Sequence, residues 1–267
     1  MFEWDAVAKY YDLFLNGTED IPFWQKLSKD FGSPVLDTSC GTGRLTFPIA
    51  ESGIDVVGMD LSQGMLRIAK QKLRKYPKAV QKHVTLVHGD IVSFEIKKKF
   101  KAIYSPLSFW PVTVDEQTNL LTSIKRHLLP QGYFVIDVYN YREREENWEY
   151  HRLKTYKHFP SLGFTLIRQM YTRGNAQTKI EYIVHFLDRI YKNGTVKRIT
   201  TERTERHYTK EDLITLLEKH GFKITQIYGG YNFEKWSEES KRLIILAIPG
   251  SYTIRERIIR KLGAMFS

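Results

Sequence analysis

Cysteine is nearly absent from this chain: Cys40 stands alone among 267 residues. A single thiol cannot close an internal disulfide, and its place inside a small-residue loop suits packing better than reaction. No run of eighteen apolar residues occurs, so no membrane-spanning helix is expected. The first residues lack a basic-then-apolar signal pattern, which makes a cytoplasmic protein the expectation. No metal site is expected. What is present is enough for a sizeable core, at 42% apolar residues, and the length suits one α/β domain plus an elaboration. The formal charge of +11 raises nucleic acid or another anionic partner. Much of that charge sits in Lys70 to Lys82 and in Lys97 to Lys101, however, which read as solvated faces. Nucleic acid is therefore not the expected partner.

The stretch from Val35 to Arg44, VLDTSCGTGR, organises the rest. A short apolar pair ends in Asp37, a loop follows with Gly41 and Gly43 flanking Thr42, and a helical run leads to Glu51. A strand feeding a glycine loop and then a helix brings bare backbone against a nucleotide. A second acid, Asp60, closes the next apolar strand, Ile54 to Met59, seventeen residues after Gly43. At that spacing a carboxylate can accept hydrogen bonds from both ribose hydroxyls of an adenosine. A nicotinamide dinucleotide wants a third glycine to open the helix under its pyrophosphate, but position 46 is Thr. Adenosylmethionine has no phosphate, tolerates that loss, and favours an acid at the head of the loop.

The sequence resembles the class I adenosylmethionine-dependent methyltransferases, whose first motif runs D-x-x-C-G-T-G. Asp37, Cys40, Gly41, Thr42 and Gly43 match it, and Ser39 stands where many members carry Gly or Ala. The resemblance implies a Rossmann-like, seven-stranded, mostly parallel α/β sheet, with S-adenosylmethionine as cofactor and S-adenosylhomocysteine as product. It implies a cofactor site from Asp37, Thr38, Cys40, Gly41, Gly43, Asp60, Leu61, Met65 (against adenine), Asp90, Ile91 and Ser105. Tyr11-Asp12 matches the pair that forms a lid in small-molecule members, and Trp24 falls where an aromatic lies beside the methionine end. The lone cysteine argues against the nucleophile used to methylate pyrimidine carbon. The fourth motif, Ser105 to Trp110, is not the D-P-P-Y pattern used on adenine or glutamine nitrogens. It also departs from the aminosugar N-methyltransferases, which carry a polar ring near the place of Trp110.

After Tyr141 the character changes. Gly163 to Tyr171, Lys179 to Tyr191 and Thr195 to Tyr208 alternate in patches, and Asn193-Gly194 signals a hairpin. The expected organisation is a core of residues 1–141 and 206–249 with a lid helix in 1–24. Residues 142–205 form an inserted antiparallel β-meander, and 250–267 a tail. Thr209 and Asp212 form a capping box for a late helix; Ile254 to Leu262 is expected to be a packed terminal helix, with a basic amphipathic helix for a membrane surface or partner as the alternative. This order of parts resembles small-molecule and peptide N-methyltransferases. A further resemblance, to the N-terminal methyltransferases of plantazolicin-type peptide antibiotics, rests on VLDTSCGTGR, on YYDLF and on the layout. It implies dimethylation of a terminal α-amine, in antibiotic biosynthesis, with Thr38 bordering the pocket. Aminosugar and other small-amine acceptors, and RNA, remain as alternatives. The acceptor walls expected are Phe14, Phe109, Trp110, Tyr139 and Tyr182, with Tyr11, Trp110 and Asp137 as catalytic groups. The acceptor expected is a small molecule or modified peptide; the sequence is silent on oligomeric state.

Overall fold

The computed structural model describes residues 3–111 and 113–250, so the tail helix expected at Ile254 to Leu262 lies outside the described residues. Seven strands form the main sheet: β1 (Val35–Asp37), β2 (Val56–Asp60), β3 (Val84–His88), β4 (Phe100–Pro106), β5 (Leu128–Tyr139), β10 (Phe222–Tyr228) and β11 (Arg242–Pro249). Their order is β10-β11-β5-β4-β1-β2-β3. The first five run parallel, while β10 pairs β11, and β11 pairs β5, antiparallel. The inner strands read as near-continuous apolar runs because both faces are covered. On one face, α7 (Val114–His127) and α8 (Lys210–Lys219) bury Leu120, Ile124, Leu213 and Leu217 against Ile103, Phe134 and Ile136. On the other, α3 (Ile21–Phe31) and α4 (Thr46–Glu51) bury Phe23, Trp24, Leu27 and Ile49 against Val35, Tyr104 and Val135.

Caps set the helix starts. Thr113 with Glu116, and Thr209 with Asp212, form capping boxes, and Ser62 caps α5 (Gln63–Leu73) by accepting from the Met65 amide. Pro77 follows α5 and leads into the short α6 (Lys78–Gln81). Pro130-Gln131-Gly132 forms an irregularity inside β5, with Gln131 at φ 60°. The sheet reverses its winding between β1 and β4, where the Thr38 amide donates to the Tyr104 carbonyl at 3.0 Å. In open α/β sheets ligands bind outside the strand ends at such a switch point.

The meander forms its own sheet of four antiparallel strands: β6 (Trp148–Phe159), β7 (Phe164–Asn175), β8 (Ile180–Tyr191) and β9 (Val196–Arg206). The sequence showed three of them. β6 escaped because it is an edge strand, mostly exposed and rich in Lys, Arg and His, with no apolar alternation to betray it. Successive side chains on these strands point to opposite faces. Phe164, Leu166 and Leu187 share the inner face, which packs on Val7, Ala8, Tyr10 and Met65. The expected lid helix is broken into α1 (Glu3–Val7), a 3-10 turn (Ala8–Tyr10) and α2 (Tyr11–Phe14).

Candidate active site

The floor of the site is the loop after β1. Gly41 and Gly43 sit at φ 54° and 90°, a region open to glycine. A Cβ on Gly43 would lie 2.3 Å from the Phe47 ring, so this residue also lets α4 pack under the loop. Asp60 at the end of β2 holds the loop from outside. One of its oxygens accepts from the Gly41 amide at 2.7 Å, the other from the Ser62 amide at 2.8 Å. A carboxylate has about four lone-pair sites, so two acceptor positions remain for ligand hydroxyls. Asp37, at the end of β1, is 2% exposed; its Oδ2 accepts from Thr46 at 2.7 Å and its Oδ1 has no protein partner. Burial, and secondarily the Asp60 charge, pushes Asp37 up to about 6. Burial also raises Asp60, against its two backbone bonds.

Other expected cofactor residues divide by what already occupies them. Cys40 is buried, and burial followed by the Asp37 and Asp60 charges raises its thiol well above the ordinary range; it packs rather than reacts. The Thr38 hydroxyl donates to the Tyr104 carbonyl at 2.8 Å and is buried there. Leu61 is exposed beside Asp60. Asp90 is half-buried and accepts from the Val92 amide at 2.9 Å, while the neighbouring Gly89 amide donates to the Asp60 carbonyl at 3.1 Å. Ile91 packs at the margin of the core. Ser105 is buried, its hydroxyl 3.0 Å from that of Ser108. Two placements differ from expectation. Met65 is fully enclosed in the cluster between lid and meander, so it supports the lid from below. Trp24 is a core residue against Tyr104, ring centroids 4.9 Å apart, with its N–H donated to Asp20 at 3.2 Å. Its apolar ring was captured by the α3 face, which buries Phe23 and Leu27 with it.

The lid lies on the loop. Tyr11 Cε1 is 3.8 Å from where a Gly41 Cβ would be, and Asp12 accepts from the Thr42 hydroxyl at 2.6 Å. Trp4 and Phe14 flank Tyr11 edge-on, at 5.9 and 5.8 Å between centroids. Burial raises the Tyr11 hydroxyl, which stays protonated at neutral pH. The sequence did not single out Asp5, which anchors the lid by accepting from the Ser62 hydroxyl and the Gly64 amide, both at 2.6 Å. Beyond Phe14, Arg44 holds Asp20 with paired bonds of 2.5 and 2.9 Å.

On the acceptor side the geometry corrects three expectations. Phe109 is no wall: it is fully buried against Phe134 and Tyr208 and pins the loop after β4 to the core. Asp137 is no free base. It is fully buried, with Arg242 donating to Oδ1 and the Tyr231 hydroxyl to Oδ2 at 2.9 Å, because β11 enters the sheet with Arg242 opposite Tyr139. Tyr182 lies on the outer face of the meander, in opposite phase to Ile183 and Leu187, with its hydroxyl on Glu202 at 2.5 Å. Trp110 and Tyr139 do stand out of the core: Trp110 is half-buried, 5.5 Å from the Arg203 guanidinium, and Tyr139 is 69% exposed above Arg242. The sequence reading also missed Arg168, 4.7 Å above the Phe14 ring. Its signal was a cation in the apolar phase of β7, in step with Phe164 and Leu166.

The residues present fit S-adenosylmethionine. A buried carboxylate oxygen without a partner suits a cationic or N–H-bearing end, and Asp60 keeps free acceptor positions for a ribose. Residues 35–132 match the family model of a methyltransferase domain. An uncharacterized methyltransferase of Bacillus cereus is 32% identical over 143 residues, which cover 49% of this chain and 63% of that protein. The chain thus spans somewhat under two thirds of that relative. Among solved structures, the CcbJ methyltransferase from Streptomyces caelestis superposes with a TM-score of 0.79 at 17% identity, covering 92% of this chain and 96% of that one. The sugar N-methyltransferase KedS8 from Streptoalloteichus superposes at 0.68 with 18% identity, covering 90% and 93%. Residues 35–132 are thus similar to a methyltransferase domain, and the fold of the chain is that of these solved methyltransferases.

Proposed function

We propose that the protein transfers a methyl group from S-adenosylmethionine to an amine nitrogen of a small-molecule or short-peptide acceptor. The observation that carries the cofactor assignment is the unpartnered Asp37 oxygen at the head of the glycine loop, under a lid latched to that loop. Asp37 and the loop amides would hold the methionine end, Asp60 the ribose, and Asp90 with Ile91 the adenine. When bound, the cofactor supplies a methyl already activated by its sulfonium. The chain's own task is then alignment and exclusion of water. Positioning of this kind is worth roughly 7–11 kcal/mol for well-aligned pairs.

The state of Asp137 narrows the nucleophile. With its carboxylate tied to Arg242 and Tyr231, that strand end offers no free base. An amine must lose its proton before attack, which at pH 7 costs about 4.6 kcal/mol for a lysine-type amine and about 1.4 kcal/mol for an α-amine. A weakly basic amine therefore suits the site. The finer reading is a terminal α-amine of an azole-modified peptide of the plantazolicin type, in antibiotic biosynthesis. It is supported by the VLDTSCGTGR and YYDLF stretches and by this proton economy. The alternative is an aminosugar, supported by the likeness to KedS8. RNA is the second alternative, raised by the formal charge of +11.

Mass spectrometry of the protein with S-adenosylmethionine and a panel of α-amines, aminosugars and RNA tests this. Methylation at the nitrogen of a small acceptor is the expected result. Transfer confined to oxygen, carbon or RNA, or no binding of S-adenosylmethionine, overturns it.

A further inference from the structure

The inner face of the meander carries more positive charge than its neighbours compensate. Arg203 is engaged by Glu205 and His185 and lies 5.4 Å from the Trp4 ring and 5.5 Å from Trp110. Arg189 donates to the Tyr10 hydroxyl. Arg168 is different. It is half-buried on β7 between Thr155 and Leu187, and among the described residues no carboxylate reaches it. Its guanidinium rests on Phe14, whose ring is 5.8 Å from Tyr11, and Tyr11 lies on Gly41. The cation therefore stands two aromatic rings from the glycine loop.

Local potential agrees with this arrangement. Burial, then the charges of Arg203, Arg168 and Lys154, pulls His185 down to about 3, so it stays neutral and adds no charge. Partial burial, followed by Arg152 and Arg168, lowers Lys154. Arg168 itself is lowered by burial and then by Arg203. A desolvated cation without a counter-ion is costly. Stacking on Phe14 recovers part of that cost, but a guanidinium also presents five N–H donors in a fork that matches an acid group.

We propose that Arg168 binds an acid group, carboxylate or phosphate, on the same acceptor molecule that presents its amine to the cofactor. This rests on the methyltransferase reading above. The site would thus select amino acids, peptide acids or phosphorylated aminosugars over neutral amines of the same size.

The test uses the full chain saturated with S-adenosylhomocysteine and two matched pairs of probes: glycylglycine with glycylglycinamide, and glucosamine 6-phosphate with glucosamine. Calorimetric titration should show at least one acidic member binding tenfold or more tighter than its neutral partner, and the pair that does so identifies carboxylate or phosphate. Arg168→Gln should abolish that preference and Arg168→Lys should keep part of it. Equal binding within both pairs, absence of binding by all four included, overturns the proposal. So does a preference that survives in Arg168→Gln, or a loss for acidic and neutral probes alike, which marks Arg168 as a support for Phe14 only. Failure of the unaltered protein to bind S-adenosylhomocysteine would instead be a failure of the methyltransferase reading.

Discussion

The Asp12 carboxylate accepts the Thr42 hydroxyl at 2.6 Å, so the amino-terminal segment is latched to the glycine loop. Lys72 from α5 completes the latch, 3.1 Å from Asp12 and 3.2 Å from Thr42. The ion pair is half-exposed and contributes only about 0.5 kcal/mol; the hydroxyl bond to a charged acceptor is the stronger part.

Asp12→Ala should therefore weaken S-adenosylmethionine binding by roughly tenfold, about 1.4 kcal/mol, and expose the chain near Tyr11 to proteolysis. Calorimetry and limited proteolysis read the two effects. Unchanged affinity with unchanged protection would mean that the segment is held by packing alone.

Asp60→Ala removes the acceptor for two backbone amides as well as the proposed ribose partner. We expect a loss of about 1–3 kcal/mol in folding stability together with at least a tenfold loss of cofactor affinity. Thermal melts without ligand separate the first effect from the second. Full affinity in a folded variant would place the ribose elsewhere.

The pH dependence follows from Asp37. Its folded value lies near 6, above the unfolded 3.8, so the folded state holds the proton more tightly than the unfolded state between those limits. Stability from this group is present below about 4 and lost as pH rises through about 6, by up to ~3 kcal/mol. Asp137, also pushed to about 6 by burial, acts in the same direction, so the comparison needs Asp37→Asn, which should flatten part of the slope. Cofactor affinity runs the other way. It should rise with pH through about 6 as Asp37 ionises, and lose that rise in Asp37→Asn.

Arg242→Leu leaves the fully buried Asp137 carboxylate with Tyr231 alone. Breaking a buried pair from one side costs roughly 3–5 kcal/mol, which chemical denaturation would register. Asp137→Asn should shift the pH profile of turnover little, since the carboxylate is not a free base. A large displacement of that profile would restore Asp137 to the chemistry.

The sequence exposed the parts of the site that depend on local spacing. Asp37, Gly41, Gly43 and Asp60 sit at strand ends and in a tight loop, where neighbours in sequence determine position. The Thr209 cap was visible for the same reason, while the mostly parallel sheet was implied by the family resemblance. What stayed hidden depends on distant partners. Nothing near Asp137 shows that Arg242, on a strand 105 residues later, will cover it. Phe109 and Trp110 are adjacent aromatics, and only packing on Tyr208 decides that the first is buried. Tyr182 needed the strand's phase, because one step along a strand changes the face.

The Tyr11 ring lies against Gly41, so on the proposed function a cofactor seated on that loop would be covered by the amino-terminal segment. Loading and unloading would then need the amino-terminal segment to swing aside, and the expected sequence of arrivals is donor first, acceptor second, spent donor last. Lid motions of this kind run on microseconds to milliseconds. Turnover would then be metered at the exit, and accumulated S-adenosylhomocysteine would act as a brake on the enzyme that made it.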